Sequence, residues 1–178
     1  MRVITGSARG MTLRTLEGND VRPTTDKVKE ALFSAIQFEI EGRRILDLFA
    51  GSGQLGIEAL SRGAESAVFV DSDKNAVKIV KENLAKTKLD FKATVAQTDS
   101  IAFISMTDRI FDIAFLDPPY EKGLLQKALA KIGDNIAEGG MVICEHSFKE
   151  ELAEEYGDLK KSKEYKYSKV AVTVYRKS

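Results

Sequence analysis

Apolar positions along this chain change their period several times, and each change marks an element. Val28, Leu32, Ile36 and Ile40 recur at helical spacing after the run Arg22-Pro23-Thr24-Thr25-Asp26. That pattern predicts a helix, with Thr24, Thr25 and Asp26 as N-capping residues and Pro23 ending whatever precedes it. From residue 44 onward, short apolar runs alternate with amphipathic stretches. Strands are predicted at 45–49, 67–70, 91–96, 113–116 and 141–144. Helices are predicted at 54–62, 75–86, from 100 onward, and at 124–132. The tail reads as a β-hairpin of 165–167 with 170–175, and residues 2–4 and 11–16 read as a second one around a turn at 6–10. Apolar strands separated by helices imply a largely parallel sheet covered on both faces. Ligands of such sheets bind at the carboxyl ends of the strands.

Composition changes this picture little. A length of 178 residues suits one domain, with 43% hydrophobic and 30% charged residues. No apolar run is long enough to span a bilayer, and the opening Met1–Gly10 lacks the apolar stretch of a secretory signal. Cys144 is the only cysteine and His146 the only histidine, so no intrachain disulfide or zinc-finger ligand set is expected. A reducing, cytoplasmic setting fits. Formal net charge is zero, which argues against general affinity for polyanions. The charge is uneven, however. Arg2, Arg9, Arg14, Arg22, Lys27 and Lys29 concentrate near the start. Lys160, Lys161, Lys163, Lys166, Lys169, Arg176 and Lys177 concentrate near the end, after an acidic stretch from 149 to 158. Basic ends on a neutral body either form a local polyanion-binding face or are simply solvated surface.

The candidate chemistry sits where the strands end. Gly51, Gly53 and Gly56 spell GxGxxG between a strand and a helix, a turn that lets a ligand approach the backbone. Asp71 ends the next strand, where a carboxylate accepts both hydrogen bonds of a ribose diol. Those features suit NAD, FAD or S-adenosylmethionine alike. Asp47 discriminates among them, because a carboxylate before the glycines favours the cationic amino-acid end of S-adenosylmethionine and repels a pyrophosphate. Asp99 either accepts from an adenine amino group or caps the helix that follows. After the fourth strand stands Asp117-Pro118-Pro119-Tyr120. Two prolines remove two N–H donors and leave an acceptor-rich loop, suited to gripping a planar NH₂ group while Tyr120 stacks on a base. Arg22 and Arg9 are candidate phosphate contacts. His146 is expected to be structural or at the substrate's edge rather than a general base.

The ordered segments RPTTDKVKEALF, LDLFAGSGQLGIEALSRGA, FVDSD, FLDPPY and EHS resemble the RsmD-type family along nearly the whole chain. Its members are bacterial methyltransferases acting on a guanine N2 of small-subunit ribosomal RNA. One departure is Asp71, where family members often carry Glu; the carboxylate is kept. The resemblance implies a Rossmann-like class I methyltransferase fold, with a seven-stranded mixed sheet, helices on both faces and a short N-terminal β-hairpin. It divides the chain into an RNA-docking arm, 1–22, and a methyltransferase domain, 23–178. S-adenosylmethionine is then expected at Asp47, Phe49, Gly51, Gly53, Asp71, Ser72, Asp99 and Ser100. Asp117, Pro118, Pro119 and Tyr120 would hold the target guanine, with Arg9, Arg22 and Thr24 as substrate contacts. The expected partner is 16S rRNA in the small subunit or an assembly intermediate, with no metal, no membrane and a monomeric enzyme. Three rivals stand beside this reading, among them a noncatalytic cofactor-binding module, which predicts a damaged acceptor motif where Asp117-Pro118-Pro119-Tyr120 is intact. A DNA amino-methyltransferase also uses DPPY but normally needs a recognition domain for which little chain remains. An NAD-dependent oxidoreductase would leave DPPY without purpose.

Overall fold

The computed structural model describes residues 1–16, 25–120 and 123–178, so Arg22, Thr24 and the end of the expected arm lie outside the described residues. The elements run α1 (Asp26–Ala35), β1 (Arg44–Asp47), α2 (Gln54–Ser61), β2 (Ser66–Asp71), α3 (Lys74–Thr87), β3 (Ala93–Gln97), α4 (Ser100–Met106), β4 (Phe111–Leu116), α5 (Leu124–Ile132), β5 (Ile136–Ser147), β6 (Glu155–Tyr156), β7 (Leu159–Tyr167) and β8 (Val170–Lys177). All strands join one sheet in the order β3-β2-β1-β4-β5-β8-β7-β6. β3, β2, β1, β4 and β5 are parallel, whereas β8 and β7 return antiparallel. The chain winds outward in one direction from β1 and in the other from β4. The neighbouring ends of β1 and β4 are therefore the topological switch point, where an open α/β sheet leaves a crevice.

Side chains alternate faithfully across the sheet. Ile45, Phe69, Ile113, Phe115 and Ile143 face one core with Leu32 and Phe33 of α1, Leu55 of α2 and Val80 of α3. Leu46, Val68, Ala114, Leu116 and Val142 face the other, with Ile104 of α4 and Leu125 and Leu129 of α5. This period of two against two helical layers is what the apolar runs implied. The helix caps follow the same logic. Thr25 Oγ1 accepts from Val28 N at 3.3 Å and starts α1.

Several boundaries differ from expectation. The seven-stranded sheet gains an eighth member, the two-residue β6, because the Gly157 turn lets Tyr156 pair with Leu159. β5 begins at Ile136 rather than at 141, since Gly139 and Gly140 break the apolar pattern without ending the strand. Asp90–Lys92 forms a 3₁₀ turn, leaving Phe91 outside β3 and 78% exposed. The N-terminal hairpin reduces to a single bridge, Arg2 with Thr12.

That N-terminal segment is docked rather than splayed. Val3, Ala8 and Leu13 are buried in the core shared with α1–α3. Glu58 on α2, fully buried, accepts from Ile4 N at 2.8 Å, Thr5 N at 3.0 Å and Arg62 Nε at 2.9 Å. It also pairs with the buried Lys29 of α1 at 3.2 Å, and Lys29 Nζ donates to Arg2 O at 2.9 Å. Burial pulls the Lys29 amine down from its ordinary value and Glu58 opposes that pull. Gly6 lies against the C-terminal end of α2: its φ is +99°, and a Cβ there would sit 1.9 Å from Ser61 O. Asn83 of α3 completes the seam, accepting from Arg14 N at 2.8 Å and donating to Arg14 O and to Ser52 O, each at 2.9 Å.

A buried ion cluster resists loss of one member far more than its net worth suggests, because the partner charge is left unpaired. Glu58→Gln is therefore expected to lower unfolding free energy by about 3 kcal/mol. Urea denaturation checks this, and a midpoint matching wild type would show that the cluster does not hold the segment.

Candidate active site

The crevice at the switch point is a cavity of about 570 Å³. From the ends of β1, β2 and β3 it is lined by Asp47, Phe49, Gly51, Asp71, Ser72, Asp99 and Ser100. From the end of β4 it is lined by Asp117, Pro118, Pro119 and Tyr120. Residues spread over seventy positions of sequence thus meet in one space, since parallel strands deliver all their carboxyl ends to the same edge. Gly53 stands behind the wall, capping α2 with its backbone, and does not line the cavity. Arg9 does not line it either. It sits in the turn packed on the C-terminal end of α2, about 12 Å of helix away from the glycine loop by the 1.5 Å rise per residue.

The glycine loop is shaped by two carboxylates. Asp71 Oδ2 accepts from Gly51 N and Oδ1 from Asp73 N, both at 2.9 Å. Asp47 Oδ2 accepts from Gly56 N at 3.0 Å, across from β1 to α2. A Cβ on residue 56 would lie 2.3 Å from the Phe69 ring and 3.2 Å from that oxygen, so only glycine lets α2 approach this closely. Asp47 is 2% exposed. Burial pushes its carboxyl up to about 7; the Gly56 N–H pulls against that shift, and the negative Asp71 adds to it. Asp99 caps α4 by accepting from Ala102 N at 2.9 Å, and Ser100 Oγ donates to Leu48 O at 2.6 Å, tying β1's end to α4. The capping role of Asp99 is thus present, and it leaves the residue on the cavity wall.

His146 is 1% exposed and is absent from the wall. Its Nδ1 lies 2.9 Å from Ser147 O and its Nε2 2.8 Å from Thr173 Oγ1. A carbonyl only accepts, so Nδ1 carries a proton and donates it to Ser147 O, while Nε2 shares a hydrogen with the threonine hydroxyl. Both nitrogens are used within the sheet. Burial likewise pushes the Cys144 thiol up, leaving it an inert core residue. Among the described residues no helix is long and apolar enough to cross a membrane.

Comparison with known proteins agrees with this geometry. The family model described as Conserved hypothetical protein 95 matches residues 1–176. YlbH of Bacillus subtilis, provisionally named an rRNA methyltransferase, is 42% identical over 182 residues, 99% of each chain. Ribosomal RNA small subunit methyltransferase D of Escherichia coli is 37% identical over 135 residues, 76% of this chain and 68% of its own. The chain belongs to the RsmD family of rRNA methyltransferases. A solved Escherichia coli chain provisionally titled methyltransferase yhhF shares the class I methyltransferase fold with TM-score 0.87 and 31% identity, covering 100% of this chain and 98% of that one.

This RsmD-family site contains wall residues that pattern reading missed. Met1, Thr15 and Leu16 close it from the N-terminal segment. Their signal was the apolar 11–16 run, which reads as a strand and says nothing about where it docks. Gln54 is the more telling omission. It is 7% exposed, lines the cavity at the start of α2, and its Oε1 is buried without a hydrogen-bond partner. A glutamine there reads as an ordinary helix residue until its amide is seen to face a void.

The raised Asp47 makes a pH prediction. Its folded-state pKa of about 7 exceeds the ordinary 3.8, so the folded protein binds this proton more tightly than the unfolded chain. The stability contributed is full below about pH 4 and lost as pH rises to about 7, on the order of 4 kcal/mol. Asp47→Asn removes that slope. Its melting temperature should exceed that of wild type at pH 8, with the gap narrowing toward pH 5. Parallel profiles for the two proteins would contradict the assignment.

Proposed function

We propose that this chain transfers a methyl group from S-adenosylmethionine to the exocyclic N2 of a guanine in 16S rRNA, within the small subunit or an assembly intermediate. The observation that carries the proposal is the meeting of two unlike walls in one cavity: buried acceptors at the β1–α2 turn, and the Asp117-Pro118-Pro119-Tyr120 loop. The relatives named small subunit methyltransferase D support ribosomal RNA as the substrate class. The amino-directed chemistry rests on the loop, and the choice of guanine N2 on the family resemblance.

The residues present fit the cofactor. Gln54 Oε1 is a buried acceptor lacking a donor, and Asp47 is a buried carboxylate lacking a cation. A primary ammonium answers both needs. Asp71 keeps unused lone pairs for a ribose diol, and Asp99 offers an acceptor for an adenine amine. When bound, S-adenosylmethionine supplies an electrophilic methyl group on a sulfonium.

The chain's own residues prepare the nucleophile. An aromatic amine is a poor one because its lone pair is delocalised into the ring. The Asp117 carboxylate and the Pro118 carbonyl are acceptors for its two N–H bonds, and holding both favours a pyramidal nitrogen with a localised lone pair. Tyr120 presents a ring for the base to stack on. The nitrogen's two N–H protons become acidic only once it is methylated, and one is then lost to water. Orientation and electrostatics carry the catalysis. The N-terminal segment takes part as a wall through Met1, Thr15 and Leu16.

The test is methyl transfer from labelled cofactor to undermethylated small subunits, followed by nucleoside analysis. N2-methylguanosine is expected. N6-methyladenosine, or label entering DNA alone, would favour the DNA amino-methyltransferase instead. Asp117→Asn replaces an acceptor oxygen with a donor that faces the substrate's own N–H. Its single-turnover rate at saturating cofactor should fall by roughly 10²–10³, with S-adenosylhomocysteine affinity retained. Turnover within a few-fold of wild type would reassign the chemistry.

A further inference from the structure

The basic C-terminal residues are not absorbed by the site, and the sheet register places some of them beside it. β4 ends at Leu116, level with Cys144 of β5. β5 runs on through Glu145, His146 and Ser147, and there Ser147 pairs with Val170, the first residue of β8. Phe148 N then donates to Lys169 O at 3.1 Å. β7 ends on the same level, with Tyr167 opposite Val170 and Ser168 at φ +58° making the turn between them. Adjacent strands lie about 4.8 Å apart, so β8 lies roughly 10 Å to the side of β4, and its start stands three residues, about 10 Å, further along the strand direction than Leu116. The carboxyl-end rim therefore has two sides. The ends of β1, β2 and β3 carry the cofactor-side residues. Beyond the Asp117 loop, the opposite side carries Phe148, Lys149, Lys166 and Lys169.

These side chains have the chemistry of a nucleic-acid platform. Phe148 is 43% exposed although it adjoins three buried residues, and Lys149 Nζ lies 6.0 Å from the centre of its ring. Lys149, Lys166 and Lys169 are exposed, and none has an ion-pair partner among the described residues. Lys161, further along β7, is by contrast neutralised by Glu154 and Glu164. The nearest carboxylates in sequence are the half-buried Glu150, whose N–H turns back to Ser147 O at 3.0 Å, the exposed Glu151, and Glu164, which faces Lys161 at 3.9 Å. An exposed aromatic beside unpaired lysines binds single strands by stacking and phosphate contact, without reading sequence. The expected docking arm is less well placed for this, since Arg9 lies at the far end of α2.

We propose that Phe148, Lys149, Lys166 and Lys169 form a landing rim for the single-stranded RNA flanking the target base, on the side of the Asp117 loop away from the cofactor. The identity of the strand as RNA rests on the function proposed above. The rim's geometry does not.

The test is fluorescence anisotropy of a labelled single-stranded RNA of mixed sequence, titrated with full-length protein at several salt concentrations. Lys149→Glu combined with Lys169→Glu should weaken binding at least tenfold and flatten the log–log salt slope by about 1.4, two single-strand phosphate contacts' worth. Phe148→Ala should cost about tenfold and Phe148→Trp should restore binding. Lys160→Glu, at the opposite end of β7, should leave RNA affinity within about twofold, as should all variants for S-adenosylhomocysteine. Three results would overturn the rim: wild type that binds no RNA, rim variants that bind like wild type, or an equal loss in Lys160→Glu. Methyl transfer measured on the same preparations separates the two proposals. A wild type that binds through the rim but methylates no small-subunit RNA sinks the function alone, whereas full methylation by the rim variants with unchanged binding sinks the rim alone.

Discussion

A carboxylate buried at the end of β1 sets the terms for the rest of this molecule. Asp47 faces the core shared with α1–α3, 2% exposed, and among the described residues it has one backbone N–H as its hydrogen-bond partner. Isolated charge in such a place is costly, and the protein answers by raising the proton affinity rather than by supplying a cation. Holding Asp47 there requires α2 to come close, which requires glycine at 56, which in turn fixes the turn through Gly51 and Gly53. Asp71 braces the same turn from β2. The strain of an uncompensated acid is thereby placed where a cationic ligand would relieve it.

The other wall depends on a second buried acid. Glu58 gathers the backbone of the N-terminal segment, Lys29 and Arg62 onto α2. Its effect reaches the cavity because the segment's two ends, Met1 and Thr15–Leu16, are wall residues. Asn83 links the same segment to the glycine loop through Ser52 O. The part of the chain that pattern reading treats as an appendage is structurally part of the site.

How much of this was legible beforehand follows from where each signal lives. The alternation of apolar strands and amphipathic helices is local, and it yields the layered sheet and the positions of Asp47, Asp71, Asp99 and Asp117 at strand ends. Gly139-Gly140 hid the first half of β5, because glycine suppresses the apolar pattern where the β4–β5 register shifts between Phe111 and Ile113. The Glu58 cluster was illegible. Lys29, Glu58 and Arg62 read as helix-surface charges, and only packing reveals that they are internal. Gln54 was missed for the same reason, since an orphaned amide is a property of its surroundings. Phe148 and Lys169 are 21 positions apart and meet only through the β5–β8 register.

The sheet thus divides its working edge at the β4 loop, with acids, Asp47 buried among them, toward β1 and exposed lysines toward β7. In this arrangement Asp47 waits for a cation that the ligand brings. The most direct measurement is a carboxyl-carbon NMR titration of Asp47, identified by its absence in Asp47→Asn, with and without saturating S-adenosylhomocysteine. The free protein should titrate near 7, and the complex should titrate at or below the ordinary carboxylate range of about 4. A free-state midpoint already near 4, or one unmoved by the ligand, would contradict it.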